Sequence, residues 1–206
     1  MTQVELPLGL PPADYIREFA ASLDTETPRD ILDAGCGTGR HGLHLAQLGH
    51  NVVNLSNDID ELDAARRNNT RAGELAGKNT YIAGDIRRPP FARAFDIVLS
   101  DDVLHLMPKT HAFIALDALR NVTRQGGLNI IGGYLVQPGM ANVKNTARCF
   151  HPGELSDIYT QAGWKVLKYK EQYKPNQYIV NGAVQKEIIS SRALIIAQRP
   201  WLDNKV

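Results

Sequence analysis

The sequence predicts an α/β domain in which a mostly parallel sheet carries helices on both faces. Short apolar runs alternate with helix-length amphipathic segments between residues 30 and 135, and a glycine-rich loop follows the first run. A hairpin signal stands near residue 181. A chain of 206 residues with 43% hydrophobic and 22% charged side chains can bury one sizeable core, so we expect a single domain over 1–206.

The predicted elements follow one another with short connections. A helix over 12–23 has apolar residues at helical spacing after two prolines, and a buried strand over 30–33 ends at the glycine loop. The next helix includes Leu43 and Leu48 and is closed by Gly49. The pattern then predicts strands at 51–55, 81–83, 95–100 and 127–134, and helices at 58–72 and 111–122.

The last part of the chain has a different pattern. The run His151-Pro152-Gly153-Glu154 is expected to open a helix, because proline fits the first helical position. Strands are predicted at 164–173 and 191–198, with a hairpin over 178–184 between them. Its Asn181-Gly182 pair accepts the positive φ angles of a type I′ turn. The last two strands should therefore form an antiparallel edge on a seven-stranded sheet.

Charge and composition argue against several classes of function. Lys and Arg number 23 and Asp and Glu 22, and no basic run is longer than a pair such as Arg87-Arg88, so we expect no nucleic-acid partner. The sequence contains neither a signal-peptide pattern nor an apolar run of roughly eighteen residues, so we expect no membrane contact. Only two cysteines occur, Cys36 and Cys149, which favours a reducing, cytoplasmic location.

One motif carries the main chemical signal. Asp33-Ala34-Gly35-Cys36-Gly37-Thr38-Gly39 lies between a predicted strand and a predicted helix, where glycines let a ligand approach the backbone. A dinucleotide fingerprint would place its third glycine at position 40, but Arg40 stands there. The spacing is therefore Gly-x-Gly-x-Gly, which disfavours a dehydrogenase.

This motif resembles the first motif of class I S-adenosylmethionine-dependent methyltransferases, and residues 95–106 resemble their fourth-strand motif. The segments 125–127, 150–155 and 181–182 are similar to the tellurite-resistance group of that class. The resemblance implies a Rossmann-like seven-stranded mixed sheet, S-adenosylmethionine as the cofactor and methyl transfer to a small-molecule acceptor, by a monomer or homodimer. It also implies a helical lid at 1–29, a cofactor-binding core at 30–135 and a substrate-lid segment with the last strands at 136–206.

The resemblance also implies cofactor contacts for individual residues. A carboxylate offsets a cationic ammonium, an aspartate accepts from an exocyclic amine, and an aliphatic side chain covers a purine face. The implied contacts are Asp33 at the methionine ammonium; Gly35, Cys36 and Gly37 along the cofactor; Asp85 and Ile86 at the adenine; and Ser100 and Asp101 at the floor.

The sequence departs from the family pattern at the position that contacts the ribose of the cofactor. Ser56 occupies the position where an acidic residue normally holds the ribose hydroxyls. Asn57 or Asp58 could take this role if the turn shifts, but Asp58 is equally suited to cap the following helix. The departure leaves two rival functions open: the same fold acting on a different adenosyl sulfonium or cofactor, or an inactive binding module.

Catalytic and acceptor-binding candidates lie outside the glycine loop. His105 follows the fourth strand and could act as a base, although a packed turn would explain it equally well. Asp102 either lines the pocket with Asp101 or caps the next turn. No metal site is expected, because His41 and His44 have no third ligand at zinc spacing. The acceptor candidates are Tyr15, Tyr134, Arg148 and His151, of which Arg148 best suits an anion.

Overall fold

A computed structural model describes the backbone of residues 11–136, 150–180 and 183–201, and the side chains of these residues except 174–180 and 183–190. The helices in these ranges are α1 (Asp14–Ala21), α2 (Arg40–Gln47), α3 (Ile59–Ala72), α4 (Lys109–Asn121) and α5 (Glu154–Gln161). The strands are β1 (Asp30–Ala34), β2 (Asn51–Ser56), β3 (Asn79–Ala83), β4 (Phe95–Asp101), β5 (Thr123–Tyr134), β6 (Lys165–Val180) and β7 (Ala183–Gln198). A short 3-10 turn, Leu104–Leu106, follows β4.

The strands form one sheet in the order β3-β2-β1-β4-β5-β7-β6. Strands β1 to β5 pair in parallel, and β7 is antiparallel to both of its neighbours. The predicted seven-stranded mixed sheet is therefore confirmed. The antiparallel strand β7 lies one position inside the edge, since β6 pairs on its outer side.

The last two strands are longer than the sequence pattern indicates. Each has sixteen residues, and they pair from Lys165↔Gln198 to Val180↔Ala183, with register shifts between Val166 and Lys168 and between Lys174 and Pro175. The predicted turn residues Asn181-Gly182 lie outside the described residues. Strand β6 contains many polar residues and few apolar ones, so a prediction based on apolar runs makes the strand too short.

Helix α5 begins two residues later than predicted. The sequence places Pro152 in its first turn, but the N-cap is Gly153, whose φ is 79°, and the helix begins at Glu154. The backbone amide of His151 donates to the Glu154 carboxylate at 2.7 Å. The glycine and this side-chain contact therefore define the start of the helix, and the proline lies before it.

Two apolar layers cover the two faces of the sheet, because successive residues of a strand point to opposite faces. On β1, Ile31 packs with Ile16 of α1 and Leu45 of α2, whereas Leu32 packs in a layer with Leu116 of α4. Helices therefore cover both faces, as predicted, and the carboxyl edge of the parallel strands remains for a site. Among the helices that the structure describes, none is long and apolar enough to cross a membrane.

Candidate functional site

The glycine loop joins β1 to α2 at the carboxyl edge of the sheet. Gly35 and Gly37 have φ angles of +80° and +52°, in the region that favours glycine. A Cβ at Gly35 would overlap the Val103 side chain, so this glycine permits close packing against the segment after β4. A Cβ at Gly37 would have only the Glu61 carboxylate oxygens, at 3.9 and 4.0 Å, as neighbours within 4 Å. The loop therefore leaves open space at Gly37.

The backbone amides of the loop divide into two groups. Those of Gly35 and Cys36 both donate to the Leu55 carbonyl, at 2.7 and 3.1 Å, and extend the β1–β2 ladder. Those of Gly37 and Thr38 donate to no group in the described part of the chain. The Cys36 thiol is free and buried, and this burial raises its pKa well above the usual range. A ligand would meet the amides of the second half of the loop and a neutral thiol.

Asp33 is a buried carboxylate at the base of the loop. It is 1% exposed, and its Oδ2 accepts a hydrogen bond from the Gly42 amide at 3.2 Å. Burial, opposed by His41 and by this hydrogen bond, raises the pKa of Asp33 to about 6. It forms no ion pair within the described residues. A cationic group placed beside Asp33 would stabilise its ionised form.

Asp101, at the end of β4, is the centre of an ion-pair network. Its carboxylate is buried and accepts hydrogen bonds from Arg192 at 2.6 Å, His41 Nε2 at 3.1 Å and Arg40 at 3.2 Å. Burial alone would raise the pKa of Asp101, but the bond from His41 and the charge of Arg192 outweigh it and hold the pKa below the usual value. The network links α2, β4 and β7.

Asp102 continues this network in a strained backbone conformation. Its φ is +59°, the single positive value among the described non-glycine residues, and Arg192 lies 2.8 Å from its carboxylate. Asp102 pairs with Arg192 instead of capping the 3-10 turn, whose N-cap, Val103, makes no side-chain cap. The preceding Ser100 is fully buried, and its Oγ has no partner among the described residues. The carboxyl end of β4 thus offers one buried hydroxyl without a partner among the described residues, next in sequence to the paired Asp101 and Asp102.

His105, Tyr134 and Arg192 form an adjoining cluster. The rings of His105 and Tyr134 are 4.4 Å apart, and the Arg192 guanidinium lies 5.7 Å from the Tyr134 ring centroid. Burial, assisted by the charge of Arg192, lowers the pKa of His105. The imidazole is therefore neutral near pH 7 and able to accept a proton. Sequence reasoning missed Arg192, although an isolated arginine directly before the apolar run 193–197 is a signal.

A cavity of about 450 Å³ opens beside the network. It lies between the start of α1 and the outer strands β6 and β7, and its lining includes Tyr15, Arg40, Asp102, Lys168, Lys170 and Arg192. The structure thus brings Tyr15 to a pocket and Tyr134 to the adjoining cluster. Asp14 and Glu18 also line the cavity, so its lining contains four cations and three acids.

The other residues that were predicted to bind the cofactor take part in structural contacts, or are exposed. Asp85 accepts a bidentate hydrogen bond from Arg87, at 2.5 to 2.9 Å, which lowers its pKa, and Ile86 is buried in the core. Asn57 is exposed, and the Asp58 side chain caps α3. The sequence pattern offered capping as one of two roles for Asp58, and capping is the role that the structure describes.

Of the two remaining acceptor candidates, the structure describes His151 alone. His151 is exposed at the start of α5 and lines a surface depression with Glu154 and Asp157. Arg148 lies outside the described residues, as does Cys149.

The site contains complementary groups for an amino acid joined to a nucleoside. The buried Asp33 carboxylate suits an ammonium, the space at Gly37 admits a ligand, and the buried Ser100 hydroxyl lacks a partner within the described residues. These features fit S-adenosylmethionine, the cofactor that the sequence resemblance implies.

Comparison with known proteins agrees with this assignment. Residues 31–127 match the model of a methyltransferase domain. A Haemophilus influenzae protein named "Probable S-adenosyl-L-methionine-dependent methyltransferase TehB" is 27% identical over 145 residues, which cover 70% of this chain and 49% of that protein. The chain thus spans about half the length of this curated relative.

Solved structures show the same fold. The crystal structure of TehB from Haemophilus influenzae has a TM-score of 0.73 at 20% identity, covering 91% of this chain and 62% of that one. The magnesium protoporphyrin IX methyltransferase from Synechocystis PCC 6803, solved with bound S-adenosylmethionine, has a TM-score of 0.65 at 18% identity, covering 90% and 78%. In sequence and in fold the chain is similar to the class I S-adenosylmethionine-dependent methyltransferases. Within that class it is similar to TehB.

Proposed function

We propose that the protein transfers a methyl group from S-adenosylmethionine to a small-molecule acceptor. The observation that carries this proposal is the buried Asp33 carboxylate at the base of the glycine loop, which has a raised pKa and no ion pair within the described residues. A structural carboxylate would have its own cation or several donors, whereas Asp33 has one amide within the described residues. The match of residues 31–127 to a methyltransferase domain supports the same conclusion.

Some residues of the site would bind the cofactor, and another would accept a proton. Bound S-adenosylmethionine supplies a methyl group activated by a sulfonium. Transfer is an in-line displacement, and its rate depends mainly on how the protein positions the acceptor against the methyl group. Asp33 would hold the ammonium, and the amides of Gly37 and Thr38 would face the ligand. We assign proton acceptance to Nδ1 of His105, a buried atom without a partner among the described residues, when the acceptor attacks through oxygen or nitrogen.

The cavity beside Asp102 supports a small, polar or anionic acceptor. Arg40, Lys168, Lys170 and Arg192 line it, together with Asp14, Glu18 and Asp102. The two arginines pair with Asp102 and Lys168 lies 3.8 Å from Glu18, so the lining has a small excess of positive charge, which favours a carboxylate or oxyanion. About 450 Å³ lies within the usual range for small-molecule pockets.

An acceptor screen tests the proposal. The protein is incubated with S-adenosylmethionine and, separately, phenols, carboxylic acids, amines, thiols and chalcogen oxyanions, and mass spectrometry follows S-adenosylhomocysteine and the acceptor. We expect S-adenosylhomocysteine and an acceptor heavier by one methylene with a member of one class. Replacing His105 by Gln should lower kcat roughly 100-fold or more with unchanged affinity for S-adenosylhomocysteine. No turnover with any class, or transfer of a different group, would contradict the proposal.

A further inference from the structure

Strand β2 ends without the acid that the family pattern places there. Ser56 occupies that position and is 4% exposed. The nearest carboxylate in sequence, Asp58, is used by its own helix: its Oδ1 accepts from the Glu61 amide at 3.1 Å. Asn57 carries no charge. The ribose position therefore needs a carboxylate from elsewhere if a nucleoside is to be held in the family's manner.

Glu61 brings a carboxylate to this position from the first turn of α3. Its Oε2 lies 3.4 Å from Ser56 Oγ, and both of its oxygens lie within about 4 Å of the Cβ position at Gly37. The carboxylate therefore stands between the end of β2 and the open part of the glycine loop. No ion pair engages it within the described residues.

Ser56 explains why this carboxylate is available. In an ordinary capping box, the acid three residues after the cap accepts from the amide of the cap residue. Here Ser56 Oγ accepts from the Asp58 amide at 3.1 Å, so that amide is satisfied without Glu61. An aspartate at position 56 would instead set a second carboxylate beside Glu61, and like charges at this distance repel. Ser56 therefore suits Glu61 in two ways: it satisfies the Asp58 amide, and it adds no second negative charge beside the Glu61 carboxylate.

We propose that Glu61 is the ribose-binding acid of this chain, its two carboxylate oxygens accepting hydrogen bonds from the vicinal hydroxyls of the cofactor's ribose. The inference rests on the proposed function, because it requires an adenosyl cofactor. It also removes the reason for a different cofactor or an inactive module, since the carboxylate absent at Ser56 is present a few ångströms away.

Calorimetric titration with S-adenosylhomocysteine tests the role of Glu61. Glu61→Gln should bind roughly 10- to 100-fold more weakly than the unaltered protein, the usual effect of losing hydrogen bonds to a charged group. The control is Asp60→Asn, which removes the same charge from an exposed position in the same helical turn and should change the affinity by less than about twofold. Thermal unfolding of both variants shows whether they remain folded.

A ligand without ribose hydroxyls and a double variant that moves the carboxylate from position 61 to position 56 test the contact between Glu61 and the ribose. The 2′,3′-dideoxy analogue of S-adenosylhomocysteine should bind the unaltered protein more weakly than the parent ligand, whereas Glu61→Gln should bind the two alike. The double variant Ser56→Asp with Glu61→Gln should regain most of the lost affinity, because it moves the carboxylate back to β2.

The outcomes separate the two proposals. If the protein binds S-adenosylhomocysteine and Glu61→Gln binds it equally well, or still distinguishes the analogue as strongly, the role of Glu61 is wrong and the proposed function stands. If the unaltered protein binds neither ligand, both proposals fail.

Discussion

Asp33 carries a charge where a charge is costly to the folded state. Its pKa is raised to about 6 by burial, so folding favours its protonated form. A carboxyl group whose folded pKa lies above its unfolded value of 3.8 contributes most to stability at low pH, and this contribution falls as the pH rises through about 6. At neutral pH Asp33 therefore lowers the free energy of unfolding, as expected of a group retained for ligand binding.

Replacing Asp33 by Asn should stabilise the ligand-free protein. The expected gain in the free energy of unfolding at pH 7.5 is about 1–3 kcal/mol, because the neutral amide avoids burying a charge. The gain should vanish near pH 4, where Asp33 is already protonated. Urea unfolding at both pH values measures it. A variant that is less stable than the parent at pH 7.5 would show that Asp33 has a structural role.

The affinity for the cofactor should depend on pH through Asp33. The ligand's ammonium needs the ionised carboxylate, so below about pH 6 the affinity for S-adenosylhomocysteine should fall, approaching tenfold for each pH unit, and above pH 7 it should be constant. Titrations between pH 5 and 7.5 measure this dependence. Asp33→Asn is the control and should bind weakly at every pH. An affinity of the unaltered protein that does not change over this range would contradict the Asp33–ammonium contact.

Among the elements, α3 holds the Glu61 carboxylate in place through its N-terminal cap. Asp58→Ala removes that cap and should lower the free energy of unfolding by about 1 kcal/mol. It should also weaken S-adenosylhomocysteine binding, because the Glu61 backbone loses its anchor. Asn57→Ala, at the exposed neighbouring position, is the matched control and should change neither quantity. Unfolding in urea and calorimetry give both values; equal stability of the two variants would contradict the capping role.

The elements differ in how well their sequences predicted them. Strands β1 to β4 lie within two residues of their predicted bounds because each contains an apolar run, whereas β5 begins at Thr123, four residues before the predicted start, because its first residues are polar or glycine. The β6–β7 ladder was underestimated because polar residues fill much of β6. The role of Glu61 had a partial signal, since the Asp58-x-x-Glu61 spacing is that of a capping box. The diversion of the Asp58 amide to Ser56 depends on the geometry of the turn and cannot be inferred from spacing.

At the scale of the whole molecule, the Asp101 network joins parts of the chain that are far apart in sequence. Arg40, Asp101 and Arg192 meet although 61 and 91 residues separate the partners. No local pattern encodes such a meeting, so the sequence predicted Asp101 as a cofactor residue without its three donors. Only the strand order, which sets β7 beside β5 and thus one strand away from β4, brings Arg192 to this carboxylate.

Removing Arg192 should therefore destabilise the whole fold. Arg192→Met deprives a buried carboxylate of its shortest hydrogen bond and should lower the free energy of unfolding by about 2 kcal/mol or more. Arg124→Met is the control, because its partners Asp30 and Asp96 are partly exposed, and it should lose less than about 1 kcal/mol. Urea unfolding compares the two variants. Equal losses would contradict a special role for the Asp101 network.

The central claim is that this chain binds S-adenosylmethionine through Asp33 and the glycine loop. Calorimetric titration with S-adenosylmethionine and, separately, with S-adenosylhomocysteine tests it most directly. We predict micromolar binding of both at one site, about −8 kcal/mol. Absence of binding to both ligands by the folded protein would contradict the account.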